Sequence, residues 1–147
     1  YNLQVVAVLN GIAYANDLSY DAAYNSWNNL YKVNLATKEN EKIGKASKMA
    51  VYGDAVYFAD CDGENGAVAT SFKKINSKGE ESTLLEYAEL ASATVYLFEV
   101  DPENGDIYVG TTDYATNGQI YRCDKSGKFI TKFEVSSVSP NHAAFIY

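Results

Sequence analysis

The feature that most constrains this chain is an internal repeat. The strings LYKVN, FKKIN and IYRCD begin at Leu30, Phe72 and Ile120. The stretches ahead of them align too: IAYA from Ile12, VYFA from Val56 and IYVG from Ile107. Each follows a turn signal, Asn10-Gly11, Tyr52-Gly53-Asp54 and Asn104-Gly105-Asp106. Each repeat then closes on a second turn, Thr37-Lys38-Glu39-Asn40, Asn76-Ser77-Lys78-Gly79 and Asp124-Lys125-Ser126-Gly127. A spacing of roughly 40–50 residues with several short strands per unit is the mark of β-propeller blades.

Within a repeat, β-branched and aromatic residues fill runs too short for a helical period to compete. The third repeat is the clearest, with strands over 95–100, 107–111, 119–124 and 129–135 split by Asn-Gly and Ser-Gly turns. The expected fold is therefore all-β: a propeller portion, residues 1–147, of three four-stranded antiparallel blades near 3–45, 48–87 and 95–135. Residues 142–147, HAAFIY, read as a final closing strand. Propellers close with about four to eight blades, so three blades and a lone strand form part of a larger ring. The simplest expectation is a longer chain whose missing N-terminal portion supplies the partner strands. A closed assembly with a second copy is the rival, and an open stack with bare edges would aggregate.

Loop lengths point to one face. The connections between second and third strands are long, near 17–28, 61–70 and 112–118, and in a propeller they emerge on one rim. Long loops on a rigid scaffold are where binding residues gather. The candidate ligand-binding residues are Asp17, Tyr20, Tyr24 and Trp27 in the first loop, Asp62 and Asn65 in the second, and Asp113, Tyr114 and Asn117 in the third. Rings supply contact area and amides or carboxylates supply orientation, a pattern suited to a bulky polar ligand. The plainer alternative is that Trp27 plugs its loop onto the blade and the tyrosines cap the rim. Tyr14, Tyr57, Tyr96 and Tyr108 lie inside strands and are expected to pack between blades.

Other chemistry is thinly supported. Asp60-Cys61-Asp62-Gly63-Glu64-Asn65-Gly66 resembles the start of a calcium loop, but Ser71 stands where a bidentate Glu is wanted; a solvated acidic loop is the better reading. His142 is the only histidine and reads as hydrogen-bonded packing. One His and two separated cysteines make no multi-His or four-Cys zinc site. Cys123 fills the repeat slot held by Val33 and Ile75 and reads as a small buried hydrophobe rather than as half of a disulfide with Cys61. No nucleophile elbow, P-loop or dinucleotide fingerprint occurs. The expectation is a non-enzymatic protein with no catalytic residues, metal or cofactor. A net charge of −7 and the lack of a basic cluster argue against nucleic acid as a partner.

The third repeat and the tail carry a family resemblance. Asp101-Pro102, Gly105-Asp106-Ile107-Tyr108, Gly118-Gln119-Ile120-Tyr121-Arg122, Asp124-Lys125-Ser126-Gly127-Lys128 and Pro140-Asn141-His142-Ala143-Ala144-Phe145 resemble the C-terminal end of the YncE-like and BtuG-like propellers, surface lipoproteins of gut Bacteroidetes. That resemblance implies a seven-bladed ring, lipid-anchored at the outer membrane through a missing N-terminal region. It implies capture of a corrinoid of the vitamin B12 type for a TonB-dependent transporter. The alternative is a surface propeller that binds carbohydrate or protein; a lactonase-like, metal-dependent hydrolase ranks below both.

Overall fold

Short runs with a two-residue side-chain period, cut by glycine turns, set a series of antiparallel hairpins. The structure is a computed structural model and describes residues 3–61, 69–85, 90 and 94–147. Three four-stranded sheets follow one another. Blade 1 holds β1 Leu3–Leu9, β2 Ile12–Tyr20, β3 Ser26–Asn34 and β4 Asn40–Lys45. Blade 2 holds β5 Lys48–Tyr52, β6 Ala55–Cys61, β7 Ala69–Asn76 and β8 Glu81–Leu85. Blade 3 holds β9 Val95–Val100, β10 Ile107–Thr111, β11 Gln119–Cys123 and β12 Phe129–Glu134. Each sheet is a meander in chain order, and the first strands β1, β5 and β9 meet in succession.

The repeat read from sequence is a repeat in register. Leu30, Phe72 and Ile120 stand opposite Asn16, Ala59 and Gly110 on their second strands. Two residues earlier on those second strands, Tyr14, Tyr57 and Tyr108 stand opposite Lys32, Lys74 and Arg122. Four residues after each landmark, an Asn or Asp side chain caps the next turn. Asn34 Oδ1 accepts the N–H groups of Ala36 and Thr37. Asn76 Oδ1 takes those of Lys78 and Glu80, and Asp124 Oδ1 those of Ser126 and Lys128. These side chains satisfy turn amides that no strand partner reaches.

Blade-to-blade packing supplies the core. Tyr14 and Leu30 face blade 2 and are buried with Met49, Val56, Phe58 and Ile75. Tyr57 and Phe72 face blade 3 and are buried with Phe98, Val109, Tyr121 and Cys123. The Phe72 and Phe98 rings stack at 5.7 Å. Cys123 is a free buried thiol, the small buried residue expected at that position of the repeat. Burial, with the nearby Asp124 and Asp106 carboxylates, pushes its pKa up to about 11.

Two sequence expectations change. The loop placed at 17–28 is mostly strand: Asp17 to Tyr20 pair with Asn29 to Ser26, so the connection shrinks to 21–25. Leu18, Tyr20 and Trp27 carry strand propensity, and their polar neighbours hid it. Residues 142–147 join no sheet among the described residues. A lone strand finds no ladder unless a neighbour is present, whatever its propensity.

Candidate functional site

The rim formed by the second-to-third-strand connections differs from blade to blade. In blade 1 the turn 21–25 is nucleated by Asp21. Its Oδ1 accepts the N–H of Ala23 at 2.8 Å and of Asn25 at 3.0 Å, and its Oδ2 accepts Asn25 Nδ2 at 2.9 Å. The Asn25 amide, with those N–H groups, holds the Asp21 carboxyl below the usual carboxylate range. The turn leaves Tyr24 at φ +65° with 85% of its surface exposed. Tyr20, at the end of β2, is 55% exposed. Trp27 lies in β3 opposite Ser19 and is half-buried.

Asp17 belongs to a different environment. It is 2% exposed, inside β2, and its Oδ2 accepts the Ser19 hydroxyl at 2.9 Å. Asn29 donates to the same Ser19 oxygen at 3.1 Å. On the opposite face, buried Asn16 donates to Asn28 Oδ1 at 2.9 Å and to the Ala46 carbonyl, tying blade 1 to the β4–β5 connection. Asp17 therefore lies inside the β2–β3 hairpin rather than in a loop, and there it holds Ser19.

In blade 2, Asp62 and Asn65 lie outside the described residues, as does most of the calcium-like loop. Asp60, at its near end, takes an ion pair from Lys73 at 2.8 Å; Lys73 also meets Glu81 at 2.9 Å. Among the described residues, no group of three His, Cys, Asp or Glu is placed to hold a metal ion.

Blade 3 carries the most developed part of the rim. Asp113 Oδ1 accepts the N–H of Thr116 at 2.8 Å and of Ala115 at 2.9 Å, while the Thr116 hydroxyl donates to Oδ2 at 2.7 Å. Those donors, led by the Thr116 N–H, pull its pKa down to about 2. Tyr114 sits at φ +63°, is 61% exposed, and meets Tyr96 edge-on at 6.0 Å. Lys48, from blade 2, lies over the Tyr96 ring at 5.6 Å. Asn117 donates to Glu134 at 3.0 Å. Beside them a concavity of about 390 Å³ is lined by Thr94, Thr111, Thr112, Asp113, Thr116, Asn117 and Gln119.

Of the expected residues, the structure gathers Asp113 and Asn117 at one pocket with Tyr114 on the loop between them, and leaves Tyr20 and Tyr24 on the first blade's turn. It adds the hydroxyls of Thr111 and Thr112 and the amide of Gln119, which flank the loop in sequence and belong to strand ends. Their signal was the Thr111-Thr112 pair directly ahead of Asp113. Chemically the pocket is neutral donors and acceptors. Its carboxylate is occupied by its own turn, so hydroxyl or amide groups suit it better than a cation.

No protein-family model matches the chain. No curated protein sequence matches it significantly. Among solved structures it is similar to the beta-propeller domain of the Trilobed protease from Pyrococcus furiosus, which is described as having an open velcro topology, with a TM-score of 0.62 and 14% identity. The fold is a β-propeller. The likeness covers 91% of this chain, which spans only 42% of the matched one. At that identity it speaks for architecture alone.

Proposed function

We propose that the rim of this propeller captures a bulky polar ligand without covalent chemistry, at the cell surface, and passes it to an outer-membrane transporter. A corrinoid is the ligand to which the resemblance in the third repeat and tail points. The observation that carries the reading is the pair Tyr24 and Tyr114. Both are bulky side chains at positive φ, held there by aspartate-nucleated turns and 85% and 61% exposed. Positive φ at a bulky side chain costs backbone energy, and such outliers cluster at binding sites. A tyrosine face beside hydroxyls and amides offers area and orientation together.

The test is co-elution of cyanocobalamin with the protein at its native length. The red chromophore should travel with the protein at micromolar ligand, and Tyr24→Ala with Tyr114→Ala should weaken binding about tenfold, or ~1.4 kcal/mol. Free elution of the chromophore would remove the corrinoid. The second reading, a glycan ligand, is favoured by the hydroxyl-lined pocket of blade 3. It is checked by a glycan array, on which the wild type should bind and the Tyr114→Ala variant should not.

A further inference from the structure

We infer that Lys48 pairs with the carboxylate of an acidic sugar whose ring lies against Tyr114, so that the rim selects glycans carrying uronic acid. This ligand class rests on the glycan reading above and adds the charge that its ligand carries. Lys48 opens β5, and Tyr96 is the second residue of β9. Those are the first strands of neighbouring blades, and they lie against each other. Both residues stand at strand ends on the rim of the second-to-third connections, where Thr94, just ahead of β9, borders the blade 3 pocket.

Three side chains form a continuous line there. The Lys48 amine lies over the Tyr96 ring at 5.6 Å, and Tyr96 meets Tyr114 edge-on at 6.0 Å. Phe98, two residues along β9 from Tyr96, stacks on Phe72 of blade 2; the two-residue period sets Tyr96 on that same face. Tyr114 is fixed from its own backbone. Its N–H donates to the Thr112 hydroxyl at 2.9 Å, and that hydroxyl donates in turn to the Val138 carbonyl at 2.7 Å. The line therefore runs from one blade to the next on strand ends and an anchored turn.

Among the described residues, no carboxylate pairs with Lys48. The carboxylates of the adjoining rim are engaged elsewhere. Asp60 meets Lys73 at 2.8 Å, Asp113 accepts the amides of its own turn, and Glu134 accepts Asn117 at 3.0 Å. A cation–π contact orients an ammonium without an oxygen acceptor, so the N–H donors of Lys48 stay available to one. The chain carries a net charge of −7, so carboxylates are plentiful. A half-buried lysine set on an aromatic ring beside the pocket, with none of them as its partner, is placed for a ligand's anion.

The surroundings narrow the anion. One lysine neutralises one charge, and the field of an acidic chain opposes more, so a singly charged carboxylate suits the place better than a phosphate monoester. The exposed Tyr114 ring offers its face to the C–H side of a sugar. Thr94, Thr111 and Gln119 in the pocket offer hydroxyl and amide groups to sugar hydroxyls. A neutral sugar laid along this line would cover the Lys48 amine without replacing its water, and a carboxylate removes that cost with a charge-assisted hydrogen bond.

A glycan array read with the protein at its native length tests this. Oligogalacturonate and oligoglucuronate are printed beside their methyl esters, which keep the ring hydroxyls and lose the charge, and beside neutral oligosaccharides. The acid should bind about tenfold tighter than its ester, and about 0.5 M NaCl should remove most of that preference. Lys48→Gln should bind acid and ester alike, Lys48→Arg should restore the preference, and Tyr114→Ala should weaken both. Equal binding of acid and ester by the wild type overturns the assignment and leaves the glycan reading standing. So does binding confined to neutral sugars, and so does a preference for acid that survives Lys48→Gln. An array on which no glycan binds removes the glycan reading and this assignment together.

Discussion

Single residues set the tightest limits in this fold. Gly105 combines φ +83° with a neighbour in the way: a Cβ there would fall 2.6 Å from Tyr52 Cε1, across the interface of blades 2 and 3. Gly53, at φ +58°, has nothing within 4 Å of the same position. Gly53→Ala should therefore cost only the left-handed backbone penalty, about 1–2 kcal/mol. Gly105→Ala should exceed it by a further 1–3 kcal/mol; paired urea titrations read the difference, and equal losses would refute the clash. The aspartates give a pH signature. The Asn25 amide holds Asp21 down, the Tyr147 hydroxyl holds Asp101 down, and the Ser126 hydroxyl holds Asp124 down. Asp113 is drawn to about 2. Carboxyls depressed in the folded state stabilise it above their unfolded value of about 3.9 and stop doing so as pH falls through the folded one. Thermal stability should be level down to about pH 4 and decline below it. Asp113→Asn should flatten part of that decline. With its pKa near 11 and its side chain buried, Cys123 should resist thiol reagents at neutral pH in a Cys61→Ser background until the chain unfolds.

At the scale of the element, the three turns closed by Asn34, Asn76 and Asp124 repeat one device. Asn76→Ala withdraws the acceptor from two amides, at 3.0 Å each, and should cost about 1–2 kcal/mol in chemical unfolding. A loss near zero would mean water replaces the side chain. These turns were legible in sequence because the capping residue and the positive-φ residue, Lys38, Gly79 or Gly127, lie within a few positions of each other. The β2–β3 hairpin was not. Asp17 and Asn29 look like loop residues, yet both are buried where Asp17 accepts the Ser19 hydroxyl and Asn29 donates to the same oxygen across the hairpin, a relation set by pairing of the two strands. The tail, expected as a closing strand, pairs with no strand among the described residues, and alternation alone does not supply a ladder.

At the scale of the molecule, blades touch their neighbours in sequence, so stability is a sum of interfaces. Phe72 is 1% exposed and stacks on Phe98 across the interface of blades 2 and 3. Phe72→Ala should cost about 3–5 kcal/mol. Hydrogen exchange should show the loss in β9 and β10 first, with the Leu30 and Phe58 cluster between blades 1 and 2 holding longer. Simultaneous loss in all three blades would show that the fan unfolds as one unit. Val6 and Val8, each 53% exposed, mark the free face of blade 1 as apolar too, in keeping with a sheet built to be covered.

The blades, their registered landmarks and their closing turns were readable from the residues alone. Those depend on side-chain alternation and local turn chemistry, which act over a few residues and repeat in each unit. Which rim side chains are buried and which exposed came from the folded chain. Burial of Asp17 and exposure of Tyr24 and Tyr114 come from partners and backbone angles that no local pattern encodes. It also decided where the tail lies, because the tail's place over β9 is fixed by contacts with Glu99, Asp101 and Tyr108, some forty residues earlier in the chain.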